Sequence, residues 1–207
     1  MSTESGYDFS YQSYGRLLDA VKDAGYKFSF ILDDDTASAE TPTMYLRHDV
    51  DTDYLGCLPL AQIESSKGIR STWYFLFTSD VYSILSPEII SIMKKLIELG
   101  HVVGLHVDAT LYTSLESMER ECNHIFDLLS SQVSLSKTLS FHKPAQWLLD
   151  QAISVPGWTN AYSDKFYAHC IYVSDSNRRE FWKEDRLARI LLGGGYCMHA
   201  VSSLVVA

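Results

Sequence analysis

The chain has 207 residues, of which 46% are hydrophobic and 21% charged, and its formal net charge is -9. The length suits one domain that buries roughly 70% of the surface its extended form exposes, and the composition excludes a disordered chain and a coiled coil. The negative charge repels phosphate backbones and anionic lipid head groups, so no nucleic-acid partner is expected; a neutral or cationic ligand, or a metal ion drawn into an acidic cleft, fits better.

Helix and strand signals alternate along the chain. Leu17, Leu18, Val21 and Ala24 have helical spacing and Gly25 supplies a stop, after which Phe28 to Leu32 reads as a short strand. Asp33 to Thr43 reads as a loop and Met44 to Asp51 as a buried strand ending in charge. A helix is predicted from about Leu55 to Lys67, with Pro59 in or near its first turn and Gly68 after its end. Arg70 to Phe77 is the next strand, rich in aromatic and β-branched residues. Ser86, Pro87 and Glu88 supply an N-cap, a first-turn proline and an acid suited to the dipole, ahead of a helix that Gly100 ends. His101 to Asp108 is strand, and Thr113 with Glu116 reads as the capping box of a helix carrying Met118, Cys122, Ile125 and Leu129. Thr138 to His142, Ile171 to Asp175 and Tyr196 to Val201 are further strands. This order implies parallel strands with helical crossovers, as a barrel or an open sheet, in a single domain spanning 1–207.

The opening residues form no basic and apolar leader, and no run of about 18 apolar residues occurs, so a cytoplasmic protein without membrane insertion is expected. Cys57, Cys122, Cys170 and Cys197 lack zinc-finger or Cys-x-x-Cys spacing and are expected as reduced, mostly buried thiols. The oligomeric state is not legible at this level.

Hydrophobic strands repeatedly finish on acid/base or metal-capable side chains: Arg47-His48-Asp49-Val50-Asp51, Gly104-Leu105-His106-Val107-Asp108, Phe141-His142-Lys143, Ser174-Asp175 and Met198-His199. In a parallel α/β fold the C-terminal strand ends share one edge, where these groups would converge. Singly each has a plain reading: a strand-end His is commonly a hydrogen-bonded structural group, and Asp51 or Asp108 suits an ordinary cap. Together they carry more weight, because burying several unpaired ionisable groups is costly unless they pair or bind a metal. Imidazole plus carboxylate without thiolate suits one divalent ion, zinc first, with cobalt, nickel or iron as alternatives, and such a site hydrolyses amides or esters. A Gly-x-Ser-x-Gly elbow, a Walker A loop and a Gly-x-Gly-x-x-Gly turn are missing, and Gly193-Gly194-Gly195 precedes a strand, so nucleotide and nicotinamide chemistry drop away.

These residues resemble the polysaccharide deacetylases of the NodB-homology type, in a divergent branch marked by Arg47-His48-Asp49-Val50-Asp51. The similarity continues through Gly68 to Phe75, Gly100 to Asp108, Ser140 to Pro144, Asn160 to Ser163 and Tyr172 to Ser176, and covers the chain from about Asp8 to His199. The resemblance implies an α/β fold, a distorted (β/α) barrel with fewer than eight repeats related to the TIM barrel, with its site at the C-terminal mouth. It also implies removal of an N-acetyl or other acyl group from a carbohydrate, as in surface-polysaccharide biosynthesis. By the same resemblance Asp49 is the base, Asp51 and His106 are metal ligands, and His199 is the general acid.

Three departures modify that picture. Val50 separates the two Asp, so alternation puts Asp49 and Asp51 on one side and leaves their roles exchangeable. The family's second metal His would fall near Thr110, and His142 stands where an Arg usually contacts the base; His142 is therefore inferred as the third ligand, with Asp108 as the alternative. Arg47, His48, Asp108, Lys143, Trp147, Tyr162 and Asp175 are expected to bind substrate or support the site. The sequence also stops eight residues after His199, so a catalytically silent carbohydrate-binding member, with Trp147, Trp158 and Tyr162 as stacking platforms, is the alternative reading. A small-amide hydrolase is the third.

Overall fold

Parallel ladders join all the strands in the computed structural model, which describes residues 10–33, 42–142, 148, 154–163, 166, 170–174 and 197–203, the backbone alone in 171–174 and 197–203. The strands are β1 Lys27–Ser29, β2 Thr43–Val50, β3 Thr72–Leu76, β4 Val102–Asp108, β5 Thr138–His142, β6 Thr159–Asn160, β7 Cys170–Ser174 and β8 Cys197–Ser203. Their order is β6-β5-β4-β3-β2-β8-β7, with β1 also on β2. β1 meets Thr43 to Tyr45 and β3 meets Arg47 to Val50, whereas β8 spans Met44 to Asp49; β1 and β3 therefore divide one edge of β2 and β8 takes the other. The helices are α1 Tyr11–Asp23, α2 Cys57–Ser66, α3 Pro87–Glu98 and α4 Leu115–Ser130. The architecture is the expected distorted (β/α) barrel with fewer than eight repeats, and among the described residues no ladder closes β6 onto β7.

β2 and β3 are buried at every position, as strands covered on both faces are. Alternate residues supply two separate cores. Val50, Trp73, Phe75, Leu105 and Leu139 pack with apolar residues of α2, α3 and α4, and Leu46 packs with Leu18 and Val21 of α1. On the other face Tyr45 and Tyr74 pack with Ile31, Ala161 and Phe166 in the barrel interior. The side chains discussed below are sorted by this division.

Local chemistry sets the element ends. Ser86 caps α3 as expected, its Oγ accepting from Ile89 N at 3.3 Å. α4 is capped by Ser114 rather than Thr113: Ser114 Oγ accepts from Ser117 N at 3.2 Å, so the expected box with Glu116 does not form. Asp53 Oδ1 accepts from the N–H groups of Leu55 and Gly56, a turn that delays α2 to Cys57. Gly68 and Gly100, at φ +68° and +90°, supply the left-handed residues after α2 and α3.

Cys57 and Cys122 are buried free thiols, and burial with the neighbouring Glu121 charge pushes Cys122 up to about 12, which leaves it unsuited to nucleophilic chemistry. Cys170 is disulfide-bonded, against the expectation of reduced thiols throughout. Among the described residues no helix is long and apolar enough to cross a membrane.

Gly104 lies in β4 beside Tyr74 of β3, and the Tyr74 hydroxyl crosses to Thr138 Oγ1 of β5 at 2.8 Å. A Cβ at Gly104 would stand 2.4 Å from the Thr138 carbonyl oxygen and 3.0 Å from Tyr74 Cε1, so only glycine lets the ring pass over β4. Gly104→Ala is expected to destabilise the fold by about 1–3 kcal/mol through overpacking, read as a lower midpoint in urea; an unchanged midpoint would contradict this close packing.

Candidate active site

At the C-terminal mouth, Asp51 just beyond β2, His106 of β4 and His142 at the end of β5 come together. Their donor atoms all lie within 4.8 Å of one another. Register explains the meeting: Leu76, the last residue of β3, pairs with His106, His106 pairs with Ser140, and Asp108 pairs with His142. His106 and His142 thus project on one face of neighbouring strands, two residues apart in height.

Asp51 Oδ1 lies at ion-pair distance from both rings, 3.2 Å from His106 Nε2 and 3.1 Å from His142 Nδ1. Two ring nitrogens converging on one carboxylate oxygen bring three potential ligand atoms to a shared point. Two imidazoles and a carboxylate are a sound donor set for one divalent ion with open positions, so the residues fit such a group. Burial alone would push the Asp51 carboxyl up; the hydrogen bonds and charge interactions with His106 and His142 outweigh it and hold it well below the usual carboxylate range. The His106 side chain is only 2% exposed, whereas Asp51 and His142 are 20% and 21% exposed, which leaves an approach from solvent.

Asp49 sits deeper in the same interior. Ser140 Oγ donates to its Oδ1 at 3.1 Å, Arg47 Nη1 donates to Ser140 Oγ at 2.9 Å, and Arg47 Nη2 lies 3.4 Å from Asp49 Oδ2. The Arg47 guanidinium is fully buried, 4.7 Å from the centroid of the Tyr162 ring. Arg47 is therefore the group that contacts the expected base. Ser140 was missed at the sequence level, although alternation from His142 points to it.

Other expected site residues go elsewhere. His48 turns to the opposite face, where Nε2 donates to Glu64 Oε1 at 2.5 Å. Asp108 takes its plain reading as the cap of a short 3-10 turn, Ala109–Leu111, its Oδ1 accepting from Thr110 N at 3.0 Å and from Thr110 Oγ1 at 2.5 Å. It is not part of the three-residue cluster. Tyr162 has its face occupied by Arg47, and Trp158 is buried with Nε1 donating to Asn123 Oδ1 at 3.2 Å, so neither is a free stacking platform. Lys143, Trp147 and Asp175 lie outside the described residues.

The expected acid, His199, does not end its strand. β8 continues to Ser203, and Ser203 pairs with Asp49 while His199 pairs with Tyr45. Four residues at about 3.3 Å each set His199 roughly 13 Å along the strand from the level of Asp49, on the side away from the mouth. Its side chain lies outside the described residues.

No protein-family model matches the chain, and no curated protein sequence does. Among solved structures the fold is similar to the catalytic domain of peptidoglycan N-acetylglucosamine deacetylase from Eubacterium rectale, with a TM-score of 0.51 and 12% identity over 83% of this chain and 80% of that one. It is similar to peptidoglycan deacetylase from Bacillus subtilis, with a TM-score of 0.51 and 10% identity over 79% and 75% of the two chains. A CE4 esterase from Streptococcus mutans gives a TM-score of 0.51 and 13% identity over 77% and 73%. At these identities the likeness establishes the fold, a distorted (β/α) barrel, and leaves the chemistry to the site itself.

The Arg47 and Asp49 pair yields a stability test. Arg47→Met strands a buried carboxylate and is expected to cost about 3–5 kcal/mol, while Arg47→Met with Asp49→Leu costs less than the sum of the two single changes. Additive losses in urea unfolding would show that the two side chains do not interact.

Proposed function

We propose that the chain is a metal-dependent hydrolase that removes an N-acyl group from a carbohydrate. Asp51, His106 and His142 hold one divalent ion, and Asp49 acts as the base. The observation that carries this reading is the convergence of those three donors at the mouth, with their ligand atoms all within 4.8 Å of one another. Two deacetylases named for peptidoglycan and a CE4 esterase share the fold, which supports a saccharide substrate. A surface polysaccharide or its precursor is the substrate class we favour, and zinc the metal.

A divalent ion bound there supplies a Lewis acid that polarises an acyl carbonyl and lowers the pKa of water. The chain supplies the rest. Arg47 and Ser140 fix the carboxylate of Asp49 so that one oxygen can take a proton from the attacking water. With His199 set back along β8, the same Asp49 oxygen returns the proton to the departing amine. The silent carbohydrate-binding alternative loses support, because two of its three aromatic platforms, Trp158 and Tyr162, are engaged within the protein.

Purified protein is expected to take up one equivalent of zinc or cobalt and to release acetate from an N-acetylated oligosaccharide. His106→Ala abolishes both. Asp49→Asn retains the metal and loses turnover, whereas His199→Ala keeps metal and turnover near the parent. Turnover in Asp49→Asn contradicts the base assignment; a fall of about 10²–10⁴-fold in His199→Ala would return the acid role to that residue.

A further inference from the structure

On the face of β2 turned away from Asp49, a second polar cluster has no part in the chemistry above. Glu64 of α2 is fully buried. Its Oε1 accepts from His48 Nε2 at 2.5 Å and from the Tyr14 hydroxyl of α1, and its Oε2 accepts from Ser71 Oγ at 2.5 Å. Ser71 N donates to His101 Nδ1 at 3.2 Å, so the ring proton of His101 resides on Nε2, which donates to the Ala61 carbonyl at 3.1 Å. Burial lowers the His101 pKa, in accord with a neutral ring. The 3.5 Å between His101 Nδ1 and Glu64 Oε2 therefore separates two acceptors, and the Ser71 hydroxyl lies within hydrogen-bond distance of both.

One carboxylate thus joins α1 and α2 to β2 and to the residue before β3. Within β2, His48 stands between Arg47 and Asp49 and stacks on Trp73 of β3, with ring centroids 4.0 Å apart. Because side chains alternate, whatever pins His48 towards the helices turns Arg47 and Asp49 towards the interior, and Asp51 follows them.

We propose that Glu64, acting through its hydrogen bond with His48, is a positioning residue for the three-donor metal site. The proposal rests on the hydrolase reading above. The role requires an acceptor rather than a charge. Gln at position 64 keeps an oxygen for His48 and Tyr14, its amide can donate to Ser71 Oγ, and the Ser71 hydroxyl then donates to His101 Nδ1, already 3.1 Å away. Phe at position 48 keeps the stack on Trp73 and removes the donor.

Cobalt(II) affinity by calorimetry, together with thermal unfolding of the metal-free full chain, tests this on the parent, Glu64→Gln, Glu64→Leu and His48→Phe. Glu64→Leu and His48→Phe are expected to lose about 10-fold or more in affinity, at the low end for groups that support metal ligands, with Glu64→Gln close to the parent. If Glu64→Leu does not fold, His48→Phe, which preserves aromatic volume, carries the comparison. Parent-like affinity in His48→Phe with a lowered Tm would overturn the proposal and leave the cluster as core packing. A loss in Glu64→Gln equal to that in His48→Phe would overturn the acceptor role. A parent that binds no cobalt overturns the hydrolase reading and this proposal with it, a failure visible in the parent alone.

Discussion

Side-chain alternation along β2 is the constraint on which the rest of the molecule depends. Arg47 and Asp49 face the barrel interior, His48 faces Glu64 and Trp73, and Val50 joins the core under the helices. A slip of one residue would exchange the two sets, placing a guanidinium and a carboxylate in the apolar layer. Three ladders hold the register, from β1, β3 and β8. The close passage of Tyr74 over Gly104 then fixes how β3 and β5 approach across β4.

Ionisable groups buried at this density must be compensated, and the three clusters differ in how they achieve it. Arg47, Asp49 and Ser140 bond to one another inside the barrel. Glu64 is satisfied by three donors outside it. Asp51, His106 and His142 pair at the C-terminal mouth, their ligand atoms gathered around one point and two of the three side chains partly open to solvent. Convergence of three potential ligand atoms at a mouth open to solvent, rather than the presence of histidines, marks the candidate metal centre.

Much of this was legible in the sequence. Strand ends carrying Asp51, His106 and His142 read as converging groups because parallel topology gathers C-terminal ends, and the ladders bear that topology out. What the sequence left open turned on neighbours distant along the chain. His48 looks like a site residue beside Asp49, but its orientation is decided by alternation and its partner, Glu64, is 16 positions away on a helix with no distinguishing pattern. Asp108 was open to two readings, and a local hydrogen bond to Thr110 decided for the cap. For His199 the residue pattern placed the strand end early, whereas the ladder with β2 extends β8 to Ser203; stagger between strands is a tertiary property that no single strand's sequence encodes.

The central claim is that Asp51, His106 and His142 bind one ion together. X-ray absorption fine structure of the cobalt-loaded protein tests it most directly. A nitrogen and oxygen first shell with the outer-shell scattering of two imidazole rings is expected. A sulfur shell, or scattering from fewer than two imidazoles, would contradict it.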